Sequence, residues 1–259
     1  MVHEHWRFFR HGPAAGVWNM AVDEALMESV RAGAAPALRV YAWEPACLTL
    51  GRNQPAAGLY NAERIQACGA DIVRRPTGGR AVLHEAELTY SVVMPDRMLG
   101  SARRAYHALN LALARALARL GASVVVSPVD PTRATPVPST APCFAEPVSG
   151  ELLAGGRKLI GSAQTCVDGI LLQHGSIPLR AGRVGIALEK EGLVALGDPA
   201  HLERVIGAPV TFDELAEAIR AAWSEGMGPC EDADLSPGEL SSARRREERY
   251  RDDSWTWRR

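Results

Sequence analysis

"ELLAGGRKLIGSAQTCVDGILLQHGSIPL" occupies Glu151 to Leu179. A Gly155-Gly156 pair and an Asp168-Gly169 pair interrupt it. Such pairs accept the positive backbone φ that tight hairpin turns demand. The stretch therefore reads as three short strands joined by turns, which makes an antiparallel sheet.

The segments upstream agree. DIVRR (71–75) is a strand running into Pro-Thr-Gly-Gly, and AVLH (81–84) and ELTYSVVM (87–94) follow as strands. In the last, Thr89, Ser91 and Val93 share one face, and Leu88, Tyr90, Val92 and Met94 share the other. ALRVYAW (37–43) and CLTLGRN (47–53) are strands split at Glu44-Pro45, and SVVVS (123–127) is another. Helical spacing predicts helices over Trp18 to Ala32, Asn61 to Cys68 and Ala102 to Leu120. A further helix over 211–223 opens on a Thr211/Glu214 capping box with a Val210/Leu215 staple. The fold class is α/β (α+β): a mixed, largely antiparallel sheet flanked by helices, with no regular βαβ series. One domain over 1–259 is expected, closing on a helical and charged segment from about 210. The N-terminus, with His3, His5 and His11, reads as a mobile end and not a metal cluster.

Composition bounds the function. Apolar content of 47% and charged content of 23% are those of an ordinary globular chain. A net charge of -1 gives no global attraction to nucleic acid. No apolar run spans a bilayer and no signal peptide is visible, so no membrane partner and a cytoplasmic location are expected. Cys47, Cys68, Cys143, Cys166 and Cys230 are odd in number and show no CxxC spacing, which argues for reduced thiols and no metal site. Of 29 basic residues only Lys158 and Lys190 are lysines, so a retained ammonium is a candidate for special work.

Three constellations could carry chemistry. Gly78 and Gly79 follow Thr77, and on their own they mark only a tight turn. The neighbouring Arg74, Arg75, Arg80 and His84 make the turn suited to a phosphate or a carbonyl oxygen. Neither GxxxxGK[ST] nor GxGxxG is present. Lys158 follows the Gly155-Gly156 turn, where a lone lysine is ordinarily solvated, but Gly161, Ser162, Ala163 and Gln164 add small residues beside which a ligand can pack. Cys143 ends a proline-rich stretch, 128–142, and a thiolate there needs a cation such as Lys158, Arg75 or His174. Cys166 is the second choice, and the other cysteines read as packing residues. His174, before Gly175, is a site-lining candidate, although a single histidine is more often a satisfied core residue.

GPAAGVWNMAVDEALM (12–27), AWEPACLTLGRNQ (42–54), RRPTGGRAVLHEAELTYSVVMP (74–95), the lysine hairpin and RYRDDSWTW (249–257) together resemble the lipoate/octanoate branch of the biotin–lipoate protein ligase superfamily. The resemblance implies the catalytic-domain fold of that family. Within the branch, TGGRAVLHEAELTYS in place of TGGG with His-Asp-x-Gly-Asn, Cys143 in a Cys-Phe pair, and Glu151-Leu152 in place of Asn-Asp are similar to the ligase-like octanoyltransferases. That membership implies Cys143 as nucleophile and Lys158 as its catalytic partner. It implies an acyl site lined by Arg75, Thr77, Gly78, Gly79, Arg80, His84, Gly161 to Gln164, His174 and Gly175. It also implies no cofactor, octanoyl-acyl carrier protein as donor, and a lipoyl-domain protein such as the glycine cleavage H protein as acceptor. SGEL (149–152) departs from the family, which carries aromatic residues before the Glu. An ATP-dependent lipoate ligase and a non-catalytic or biotin-type binder are the alternatives.

Overall fold

The structure is a computed structural model that describes residues 5–127, 150–194 and 199–258. Strand β1 (Trp6–Ala14) is followed by α1 (Gly16–Arg31), β2 (Ala37–Trp43), β3 (Ala46–Leu50), α2 (Ala62–Ala67), β4 (Ala70–Arg74), β5 (Val82–His84) and β6 (Glu87–Pro95). Next come α3 (Ala102–Arg119), β7 (Val125–Val126), β8 (Leu152–Ala154), β9 (Arg157–Val167), β10 (Ile170–Pro178), α4 (Arg183–Lys190) and α5 (Leu202–Ile206). The chain closes with α6 (Phe212–Gly226), β11 (Cys230–Asp232), α7 (Pro237–Arg251) and α8 (Asp253–Thr256).

Eight strands form the main sheet in the order β11-β1-β2-β6-β10-β9-β8-β7. Pairing is antiparallel from β2 to β7 and parallel for β11-β1-β2. A small second sheet runs β4-β3-β5, with β3 parallel to β4 and antiparallel to β5. The two glycine turns behave as their sequence demands: Gly155 and Gly156 lie at φ 55° and 76°, Asp168 and Gly169 at 51° and 77°.

One face of the main sheet carries α3 and α6 over Trp6, Leu38, Tyr90, Val92 and Leu171. Trp6 meets Trp223 edge-on at 5.3 Å between ring centres. The other face carries α1 and α7 over Phe9, Tyr41, Val93 and Leu172. The Thr211 capping box forms as its spacing predicts, with the Thr211 N–H donating to Glu214 at 2.8 Å. Among the described residues no helix is long and apolar enough to cross a membrane.

The expectation of a mobile N-terminus is corrected from His5 onward. Trp6 and Phe8 are 1% exposed, and burying each such aromatic contributes about 1.5–3 kcal/mol, enough to draw the segment into the sheet. With β1 in place, β1–α1–β2 is a parallel crossover, and β3–α2–β4 is a second. The predicted strand at 123–127 shrinks to two residues.

Candidate active site

α1 reaches the middle of the sheet with two polar residues on its buried face. Asn19 and Asp23 are both fully buried, four residues apart, where one helical turn stacks them. Arg39 on β2 meets them: Nη1 donates to Asp23 at 2.8 Å and Nη2 to Asn19 Oδ1 at 2.7 Å. Ser91 donates to Asp23 at 2.8 Å and the Tyr41 hydroxyl at 3.1 Å. His174 completes the cluster, with Nδ1 3.2 Å from Asp23 and Nε2 2.6 Å from Thr77 Oγ1. Burial pushes Asp23 towards the neutral acid, but the bonds from His174 and Ser91 and the charge of Arg39 outweigh it and hold the carboxyl below its usual range. Burial, joined by the neighbouring Arg75 and His84, outweighs Asp23 and lowers His174 below the ordinary histidine value.

A second histidine cluster lies beside the first. His84 stacks on Trp43 at 4.1 Å, with Nδ1 2.7 Å from Glu87 and Nε2 2.8 Å from Thr49. Thr89 and Ser176 both donate to the same Glu87 carboxylate, and Trp43 Nε1 donates to Thr89 at 2.7 Å.

The signature turn packs against both clusters. Arg75 Nη1 donates to the Thr49 carbonyl at 3.0 Å, and Nη2 to the Gly78 and Arg80 carbonyls at 2.8 and 2.7 Å. Arg74 is fully buried and donates to the carbonyls of Gly51 at 2.5 Å, Gln54 at 2.8 Å and Thr256 at 2.8 Å. These two guanidiniums therefore build the turn from inside. Gly79 needs its glycine, at φ 92°. So does Gly51, since a Cβ there would lie 1.9 Å from the Gly79 carbonyl oxygen.

Between turn and sheet opens a crevice. Of the residues expected at the site, it is lined by Arg75, Gly79, His84, Gly161, Ser162, Ala163, His174 and Gly175. Met20, Tyr41, Trp43, Thr49, Val82, Thr89 and Ser176 complete the wall. Thr77 and Gly78 stand behind it, as bond partners of His174 and Arg75, and the Arg80 carbonyl also holds Arg75. Gln164 points to Gln173 at 2.7 Å and does not line the crevice.

Lys158 is not on the lining either. It is buried on β9, and its Nζ lies 2.5 Å from Glu151 Oε1. Beside that ion pair, the Ser127 N–H donates to the Glu151 carbonyl at 2.7 Å and the Gly150 N–H to the Ser127 carbonyl at 3.1 Å. Cys143 lies outside the described residues. The other cysteines are free thiols, and burial pushes up Cys47, Cys166 and Cys230, so none of these three is activated. Among the described residues no group of His, Cys, Asp and Glu is arranged to hold a metal ion.

Sequence reasoning missed Asp23, Arg39 and Glu87. The signal was a charge inside an apolar pattern: Arg39 in ALRVYAW, and Asn19 with Asp23 on the face that Met20 buries.

This mixed sheet with its flanking helices has the fold of lipoate ligase catalytic domains. The crystal structure of lipoate-protein ligase A bound with ATP superposes with a TM-score of 0.79, at 22% identity over 98% of this chain and 98% of that one. The chain belongs to the lipoyl protein ligase A/B catalytic domain family, whose model matches residues 16–183. It is 37% identical to Octanoyltransferase LipM of Kyrpidia tusciae over 98% of each chain. It is 35% identical to Octanoyltransferase LipM of Symbiobacterium thermophilum, again over 98% of each.

Proposed function

We propose that this chain is an octanoyltransferase that takes octanoyl from octanoyl-acyl carrier protein onto Cys143. It then hands the acyl group to a lysine of a lipoyl-domain protein, with the glycine cleavage H protein as its first acceptor. The full-length relatives support the reaction class. The observation that carries the residue assignment is the buried Lys158–Glu151 pair, set where segment 128–149 leaves and rejoins the sheet. Cys143 is seven residues from Gly150, within reach of the pair at about 3.3–3.6 Å per residue.

The chemistry follows. An acyl thioester is already activated, so the transfer needs no nucleotide and no cofactor. The Cys143 thiolate adds to the thioester carbonyl and expels the carrier's thiol, leaving octanoyl-Cys143. The acceptor amine then attacks this second thioester, forms the amide and releases Cys143. Lys158 supplies positive charge for the thiolate and for the carbonyl oxygen as it turns negative. Glu151 fixes the ammonium in place and offsets the cost of burying it. The crevice takes the tail, at about 0.8 kcal/mol per buried CH₂. Its polar lining suits an apolar chain because His84, His174, Thr89 and Arg75 are already bonded within the protein. The reading carries a cytoplasmic location, where both carrier proteins are met.

Peptide mass spectrometry after mixing with octanoyl-acyl carrier protein, without ATP, tests this. An octanoyl adduct on Cys143 is expected, lost in Cys143→Ala. An acyl-adenylate formed only with free octanoate, ATP and Mg²⁺ would establish a ligase instead.

A further inference from the structure

The crevice continues beyond its own walls. Thr89 on β6 and Ser176 on β10 are paired and line it. Two residues along each strand, on the same face, the paired Glu87 and Pro178 line a second groove. Val82 of β5 lines both. The junction lies at the Lys158 end of β9. Ser176 pairs there with Gly161, and the Ala200 N–H, between the groove-lining Pro199 and His201, donates to the Lys158 carbonyl at 2.9 Å.

The two long walls of the groove differ in chemistry. One is β5, which ends the small sheet in the order β4-β3-β5, so among the described residues no strand pairs with its outer side. The N–H and C=O groups along such an edge are free to pair with another extended chain. The other wall is α4, which presents Ile186 at 63% exposure. Glu85 seats this helix, accepting from the N–H groups of Arg183 at 2.7 Å, Val184 at 2.9 Å and Gly185 at 3.0 Å. Glu87 is taken up by His84, Thr89 and Ser176. Two residues past Pro178 stands Arg180, which is exposed and, among the described residues, has no carboxylate partner.

We propose that the groove between β5 and α4 holds the phosphopantetheine arm of the donor carrier. This rests on the acyl-transfer reading above. An acyl carrier presents its thioester at the end of an extended chain with two amides, a gem-dimethyl carbon and a phosphate ester. The amides pair with the open edge of β5, the gem-dimethyl carbon packs on Ile186 and Pro178, and the phosphate meets the Arg180 guanidinium. Laid this way, the arm brings the thioester to the junction beside Lys158, and the acyl tail runs on into the crevice. Arg180, Pro178 and Ser176 then meet phosphate, arm and acyl group in turn along one stretch of chain.

The test uses the full chain and two inert thioethers, S-octyl-phosphopantetheine and S-octyl-pantetheine, neither of which can acylate a residue. By calorimetry the phosphorylated probe should bind about tenfold more tightly than the other. Arg180→Gln should erase that difference and leave the unphosphorylated probe unchanged. Ile186→Glu, at an exposed position, should weaken both probes about tenfold. Hydrogen exchange should slow at the β5 amides, Val82 to His84, with either probe. Equal affinity for the two probes, or protection that leaves β5 out, would overturn the proposal. So would protection of β5 by the lipoyl-domain protein and not by the probes, which would give this edge to the acceptor. None of these readouts needs turnover. An octanoyl-Cys143 adduct without β5 protection leaves the transferase standing and the groove refuted, and β5 protection without an adduct does the reverse.

Discussion

Lys158 and Glu151 bury opposite charges 2.5 Å apart. Lys158→Met alone leaves a buried carboxylate and should cost about 3–5 kcal/mol in urea unfolding. Adding Glu151→Leu should recover most of that stability and none of the activity. A double variant that stayed as unstable as the single would mean the pair is not the linchpin of this corner. Histidine gives a second prediction. Burial and Arg39 lower His11 from 6.5 to about 4, and His174 is lowered as well. Between those pH values the unfolded chain binds protons that the folded chain refuses, so stability falls as pH drops from 6.5 towards 4. Asp23, itself depressed, adds its loss only below its ordinary 3.8. His11→Gln keeps an acceptor for Arg39 and should flatten the thermal-denaturation slope across that window, and an unchanged slope would remove His11 from the account. At this scale the turn glycines were legible in the sequence and Asp23 was not. Helical periodicity assigns polar residues to the wet face, and Asp23 is buried because four donors satisfy it.

Among the elements, the signature turn depends on neighbours far away in sequence. β3 ends at Leu50 and is followed by Gly51, whose missing side chain admits the Gly79 carbonyl. Gly51→Ala should displace the turn by an ångström or more and cut kcat/KM by about 10²-fold with the circular dichroism spectrum intact. Wild-type kcat/KM would show that the turn's exact seat does not matter. The C-terminus clasps the other side, where Trp255 Nε1 donates to the Arg74 carbonyl at 2.8 Å. Trp255→Phe removes that bond and should cost about 0.5–1.5 kcal/mol. The antiparallel strands and the capped α6 were readable because turn glycines and caps are local signals. β1, β11 and α7 were not, because distant partners decide them. Arg7 bonds Glu239 at 2.6 Å across 232 residues, and no window of sequence contains both.

For the whole molecule, the two sheets share one core. Cys47 and Val73 of the small sheet pack with Phe9, Met20 and Tyr250 of the larger assembly. Far-ultraviolet dichroism and the fluorescence of the six tryptophans should therefore melt together, and separated transitions would divide the chain into two units. The burial of Lys158 also reaches beyond catalysis. With Lys158 enclosed, Lys190 at the exposed end of α4 is the one lysine amine offered to solvent. A protein that traffics in activated acyl groups thereby shows them almost no lysine of its own to capture by accident. For the same reason, an amine-reactive dye finds a single lysine to label, at a site remote in sequence from both the glycine turn and the Lys158 hairpin.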